Sequence, residues 1–351
     1  MKLITVMELK EGMELAENVE NNGQIVFPEH TIVDEIVINR IKRYGIMCVS
    51  IMEAVDYART HNEAIQFDEN FKKFCTVYDE QLVVYKAVFI SYLQTLRSID
   101  SSVLMSIYQT VADTIQTEKQ LLDYIYNKMP NEDELTYTQS FNAALLCGAF
   151  ANWLGLSADD KKMLILCGFY YDIGKWNISP DILWKPGKLT DEEFALVKKH
   201  PVTGYALVRN DPALSDSIKN TIIMHHERYD GSGYPYHMVG DKIELFARYI
   251  AIVDTYIAMA SPRAFRNAFT PLQILGTFEN SVDKYDAAIL FPIMQKIADT
   301  QIGVKVQLND ESVWEVIMIQ NQSYSRPILK SDFGEILDLS TRPDLSVVKL
   351  V

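Results

Sequence analysis

Three apolar runs of this chain end on, or enclose, ionisable side chains where a core residue is expected. The segment "YYDIGKW" puts Asp172 at the end of an apolar helix, and Ile222-Ile223-Met224 leads straight into His225-His226. A single carboxylate, Asp254, interrupts "IAIVDTYIAM". A carboxylate buried without a partner costs several kcal/mol, so such runs fold together only if a cation or strong donors meet them. A further histidine, His200 in "KKHPVTGY", stands just before a proline-started helix. Each group has an ordinary explanation when taken alone. Asp172 suits a helix cap, His200 a core histidine, and Asp254 a partner for Arg248 or Arg263. Taken together, helix-borne His and Asp converging on one point are the usual holder of a divalent metal with mixed nitrogen and oxygen ligands. The chain has only 6 histidines, which makes the adjacent pair a strong signal.

The surrounding pattern sets the fold class. Residues 1–56 carry short apolar clusters separated by turn signals at Gly12, Asn21-Asn22-Gly23 and Pro28, with a helix over Asp34–Tyr44. They read as a small α/β module, rich in strand. Residues 67–129 contain no proline or glycine, and Val84, Ala87, Val88, Tyr92 and Leu96 recur at helical spacing. This stretch reads as a helical linker or hairpin packed on a neighbour. From 131 to 300 amphipathic helices follow one another, with starts at Ser157, at Thr190 with Glu193, and at Thr270-Pro271. Residues 302–351 switch to strand signals such as Val304-Val306-Leu308. The expected protein is mainly α, a helical bundle with a β-rich module before it and a short β-rich extension after it.

Composition narrows the partners and the compartment. A formal net charge of -14 argues against a nucleic-acid polymer or an anionic membrane as ligand, although a local basic pocket survives that objection. The longest apolar stretch, Ala143–Leu156, is broken by Asn152 and falls short of the roughly 18 residues of a membrane span. Four scattered cysteines without paired spacing read as buried thiols, and Met1–Glu17 is too acidic for a signal peptide. The expectation is a cytoplasmic protein.

Residues 131–300 resemble the HD-GYP family, a branch of the HD superfamily of metal-dependent phosphohydrolases that hydrolyses cyclic di-GMP. "DGSGYP" supplies Gly233-Tyr234-Pro235, and "DIGKWNISPDIL", "HPVTGYALV" and "VDTYIAMASPRAFR" match the other segments in order and spacing. The resemblance implies a helical HD domain and gives each matching residue a role. Asp172, His200, His225 and His226 make up one metal site, and the second site keeps only Asp172 and Asp254. Lys175 lies beside the metals and contacts a scissile phosphate in active members. Arg263 and Arg266 grip phosphate, while Tyr234 faces the ligand on a loop that also serves recognition between proteins. Several family ligands are replaced. The first metal histidine falls on Gln139, the histidine of the His-Asp doublet on Tyr171, and a carboxylate one turn past Asp254 on Ile257. A further acidic ligand of three-metal members falls on Leu135, next to Glu134.

These departures order the readings. The first is a degenerate HD-GYP protein holding one divalent transition metal (iron, manganese or zinc) or none. It would serve as a receptor for cyclic di-GMP or a related cyclic dinucleotide, or as a signalling interaction module, with little or no hydrolysis. The rival is a cyclic di-GMP phosphodiesterase with an altered metal site, in which Tyr171 or water replaces the missing histidine. The third is an inert scaffold, a homodimer built on the 67–129 helices.

Overall fold

Local chemistry decides where the helices begin. Asp34, Thr117, Ser157, Thr190, Ser215 and Thr270 each accept a hydrogen bond from the backbone N–H three residues on, and at Thr190 and Thr270 the third helical residue reaches back to close a capping box. The computed structural model describes residues 1–21, 23–52, 60–128, 135–183, 185, 187–261 and 268–351. The chain divides into two compact units, Met1–Phe71 and Lys72–Val351.

In the first unit β1 (Lys2–Thr5) pairs antiparallel with β4 (Cys48–Ile51), and β2 (Val19–Asn21) with β3 (Gln24–Phe27). The β2–β3 turn passes through Gly23 at a φ of 78°, in the left-handed region that glycine enters without strain. Helix α1 (Glu35–Arg43) buries Val37 and Ile41 against Ile4, Leu15, Val33 and Val49. Helix α2 (His61–Phe67) follows, and α3 (Glu69–Thr95) begins.

The second unit is predominantly helical. After α3 come α4 (Ser101–Ala112), α5 (Glu118–Asn127), α6 (Leu135–Trp153) and α7 (Ala158–Tyr170). Next are α8 (Pro180–Leu183), α9 (Asp191–Val197), α10 (His200–Val208), α11 (Asp216–Met224) and α12 (Leu245–Ala260). Helices α13 (Pro271–Glu279) and α14 (Ala287–Asp299) complete the helical part. Helix α6 is buried on every side from Phe141 to Phe150, as expected of a helix apolar all round, and packs on α7, α12 and α14.

The 67–129 stretch is no free linker beyond residue 71. Its buried face is aromatic: Phe74, Tyr78, Tyr85, Phe89 and Tyr92. The Tyr78 hydroxyl donates to Asn142 Oδ1 at 2.7 Å and the Tyr85 hydroxyl to the Phe169 carbonyl at 2.9 Å. Those two bonds tie α3 to α6 and to the last turn of α7. The sequence register needs correction here. Val84, Ala87 and Leu96 lie on the exposed side, and of the residues that suggested the helix only Tyr92 is buried.

The chain ends in a five-stranded antiparallel sheet of β5 (Lys305–Leu308), β6 (Val313–Gln320), β7 (Ser323–Lys330), β8 (Ile336–Asp338) and β9 (Val347–Leu350), ordered β8-β7-β6-β5-β9. It packs through β7 on α13, where the Glu279 carboxylate accepts from the Ser325 hydroxyl. Among the described residues no helix is long and apolar enough to cross a membrane.

The short turn after α7 is pressed onto the start of α10 at Gly174. A Cβ there would lie 2.0 Å from the His200 carbonyl oxygen and 2.6 Å from the Gly204 nitrogen, both backbone atoms that cannot swing aside. Gly174→Ala is therefore expected to lower stability by roughly 2–3 kcal/mol, read as an earlier urea midpoint. An unchanged midpoint would show that the two segments separate freely.

Candidate metal centre

Three helix ends bring the four ionisable groups together. Asp172 follows the end of α7 and opens a 3-10 turn, Ile173–Asn177, whose Lys175 reaches back to Asp172 Oδ2 at 2.5 Å. His200 is the first residue of α10, with Pro201 behind it, and His225 is the C-cap of α11. His226 comes next. One ligand atom from each of Asp172, His200, His225 and His226 lies within 4.8 Å of all the others.

Hydrogen bonding fixes how the rings face. His200 Nδ1 is 2.6 Å from the Val197 carbonyl and His225 Nδ1 is 2.8 Å from the Ile222 carbonyl. A carbonyl only accepts, so each Nδ1 carries a hydrogen, and the position left on each ring for a lone pair is Nε2. Those two Nε2 atoms are 3.1 Å apart, and Asp172 Oδ1 lies 3.2 Å and 3.6 Å from them. All three side chains are fully buried. Three lone-pair atoms facing one another in a dry site repel unless a cation stands among them. Ligands about 2.1 Å from a metal stand about 3.0 Å apart at adjacent octahedral corners and about 3.4 Å apart in a tetrahedron. Two of the three observed spacings, 3.1 Å and 3.2 Å, fall in that range, and the third, 3.6 Å, lies just beyond it. Backbone carbonyls on the far side of metal-bound imidazoles are the usual device for fixing tautomer and orientation. The donor set fits a divalent transition metal.

The electrostatics agree. Burial, the largest single influence, would raise the Asp172 carboxyl, but the Lys175 ammonium and the contacts from His200 and His225 together outweigh it and hold the group well below the usual carboxylate range. Burial pushes the His200 imidazole down against the pull of Asp172. Burial and the neighbouring His225 and His200 rings push His226 well down. An ionised carboxylate and neutral imidazoles are the protonation states a metal requires.

Asp254 stands one step outside this cluster. It lies on α12, mostly buried, with Oδ2 3.9 Å from His226 Nδ1. The buried Tyr171 hydroxyl donates to its Oδ1 at 3.2 Å. Burial, the charges of Asp172 and Asp254 and that hydrogen bond all push the Tyr171 phenol well above its ordinary range. Tyr171 is a neutral donor here and no phenolate ligand. Of the two arginines that sequence offered Asp254, Arg248 goes elsewhere, pairing with Asp241 at 2.8 Å and Asp286 at 3.1 Å. Ile257 is 2% exposed, so the core takes the position and no ligand is offered. Gln139 lies half-buried on α6. Arg263, Arg266 and Glu134 lie outside the described residues.

The loop after His226 closes over it. The Tyr234 ring stacks on the His226 ring, centroids 4.7 Å apart at 21°, and the Tyr234 amide donates to the His226 carbonyl at 3.1 Å. Lys198 Nζ lies 5.5 Å from the same tyrosine ring. Sequence reasoning missed Lys198 and Glu227. The second left a signal, because an acid directly after two metal-type histidines in "HHERYDG" is a poor candidate for a solvated loop residue.

A family model for the HD domain matches residues 118–289. A cyclic di-GMP phosphodiesterase of Pseudomonas aeruginosa is 30% identical over 207 residues, covering 59% of this chain and 50% of the relative. The chain belongs to the HD-GYP family. A 3'3'-cGAMP-specific phosphodiesterase of Vibrio cholerae is 29% identical over 201 residues, 57% of this HD-GYP chain and 38% of the relative. The chain thus spans half or less of the length of these two relatives. An HDG"Y"P protein from Bdellovibrio bacteriovorus has the same fold, with a TM-score of 0.50 at 16% identity, covering 83% of this chain and 97% of that one.

If Asp172, His200, His225 and His226 form the whole site, His225→Ala should abolish retention of manganese or zinc through gel filtration, read by elemental analysis. Asp254→Asn should leave it intact. Loss of metal in Asp254→Asn would place that carboxylate among the ligands.

Proposed function

We propose that this chain is a degenerate HD-GYP protein that holds one divalent transition metal and binds a cyclic dinucleotide, cyclic di-GMP foremost, with little or no hydrolysis. The observation that carries this reading is the Tyr171 hydroxyl donating to Asp254. The carboxylate that would serve a second metal is engaged by a neutral phenol, and the position one turn on is Ile257. Diester hydrolysis in this family relies on a hydroxide held between two metals that stabilise the attacking and leaving oxygens together. Losing one of them should slow the reaction on the order of a thousandfold or more.

In this reading Asp172, His200, His225 and His226 hold the metal, which when bound supplies a Lewis-acid contact to a phosphate oxygen. Lys175 offers an ammonium next to Asp172, and Arg263 with Arg266 offers guanidinium forks that suit phosphate. Tyr234 presents a ring beside His226. We assign ligand binding to residues 131–300, with 1–56, 67–129 and 302–351 as flanking parts. The Gly233-Tyr234-Pro235 loop is a surface for a protein partner, the assembly a homodimer and the compartment the cytoplasm. The names of the relatives support a cyclic dinucleotide as the ligand class. They also favour the second reading, an active phosphodiesterase in which Lys175 contacts the scissile phosphate and Tyr171 or water stands in for the missing histidine.

Calorimetry with cyclic di-GMP at one fixed salt concentration, followed by chromatography of the nucleotide after incubation with Mn²⁺, separates these readings. The receptor should bind at roughly micromolar or tighter affinity and release no product. The Arg263→Ala, Arg266→Ala double mutant should bind at least about a hundredfold more weakly. Rapid turnover abolished by His225→Ala would install the phosphodiesterase instead. A folded, metal-loaded protein that binds no nucleotide would contradict both.

A further inference from the structure

Glu227 follows the histidine pair directly, and a carboxylate beside metal-type histidines invites an acid–base role. The geometry assigns it another. Its side chain is in the interior at 1% exposure, and both carboxylate oxygens are engaged by backbone amides of the loop that follows. Tyr236 N donates to Oε1 at 2.6 Å and Met238 N donates to Oε2 at 3.0 Å. A carboxylate engaged at both oxygens by amides nine and eleven residues downstream is a clamp on the chain between them.

The clamped loop has little room to move against its anchor. At Gly233 a Cβ would lie 2.3 Å from the Arg228 nitrogen and 2.4 Å from the Glu227 Cα, so only glycine lets the two strands of the loop meet. Tyr234, the next residue, is held by its amide on the His226 carbonyl and by its ring on the His226 ring. The Lys198 ammonium lies near that same tyrosine ring.

We infer that Glu227 is a positioning residue: by clamping the amides of Tyr236 and Met238 it holds the Tyr234 ring over His226 and so makes the loop a fixed cover on one side of the metal centre. The metal part of this inference rests on the metal-site reading above, whereas the clamp itself does not. The consequence is that Glu227 and Tyr234 act as one unit on the escape of the metal.

Two measurements test this. In metal-free protein, hydrogen exchange at the Tyr236 and Met238 amides should be slow in the parent and at least about tenfold faster in Glu227→Gln, which loses one acceptor while keeping volume. In cobalt-loaded protein, transfer of the ion to excess EDTA, followed in the visible spectrum, should speed up about tenfold or more in Glu227→Gln and equally in Tyr234→Ala. The double mutant should be no faster than either single mutant, because both remove the same cover. A general loss of stability would not produce that non-additivity, and Tyr234→Ala alone tests the cover should Glu227→Gln fail to fold. Unchanged amide exchange overturns the clamp. Unchanged cobalt release in Tyr234→Ala, or additive effects in the double mutant, overturn the cover. A parent that takes up no cobalt overturns the metal-site reading and the cover with it, and leaves the clamp to the exchange result.

Discussion

The rest of the site depends on two ring hydrogens. With Nδ1 of His200 committed to the Val197 carbonyl and Nδ1 of His225 to the Ile222 carbonyl, both Nε2 lone pairs are turned onto Asp172 Oδ1. Each of those carbonyls lies three residues before its histidine, so the backbone at the end of α11 and at the entry to α10 aims the rings. Close packing then makes the convergence rigid. Gly174 lets the turn carrying Asp172 rest against the first residue of α10, and the aromatic face of α3 secures the end of α7 through Tyr85. Disturbing any of these supports would separate the three atoms by tenths of an ångström, enough to matter for a ligand set whose distances are tightly defined.

The chemistry is different on the other side of Asp172. Tyr171 precedes the aspartate, is fully buried, and keeps its proton because burial and two nearby carboxylates all disfavour the phenolate. Its hydroxyl therefore reaches Asp254 as a donor. A neutral hydrogen bond meets part of the burial demand of that carboxylate, which elsewhere a cation would meet. The site is asymmetric as a result, with two imidazole Nε2 atoms at 3.2 Å and 3.6 Å from Asp172 Oδ1, whereas Asp254 has the phenol hydroxyl at 3.2 Å and its imidazole nitrogen, from His226, at 3.9 Å. Proposing a receptor over an efficient hydrolase follows from that asymmetry, since fold alone is silent on activity.

Much of this was legible in the sequence, for identifiable reasons. Caps at Ser157, Thr190 and Thr270 are decided within three residues, and the structure has all of them. The residues of the cluster announced themselves because a charge or imidazole at the end of an apolar run has few other uses. The buried face of α3 was misread, because Val84 and Ala87 have the right spacing and hydropathy but lie on the far side from Tyr78, Tyr85 and Phe89. Spacing gives a helix its period, whereas its phase is set by what it packs on, here Asn142 and Phe169 from distant segments. The sequence hinted that Glu227 is special but not what it does, for a related reason: its partners are amides nine and eleven residues away, and amides carry no sequence signature.

The central claim is that this fold holds one metal where a second is displaced by the Tyr171–Asp254 hydrogen bond. Anomalous diffraction from crystals grown in excess Mn²⁺ tests it most directly. The account predicts a single peak per chain, enclosed by Asp172, His200, His225 and His226, with the Tyr171 hydroxyl still on Asp254. A second peak bridging Asp172 and Asp254, with the tyrosine swung away, would contradict it.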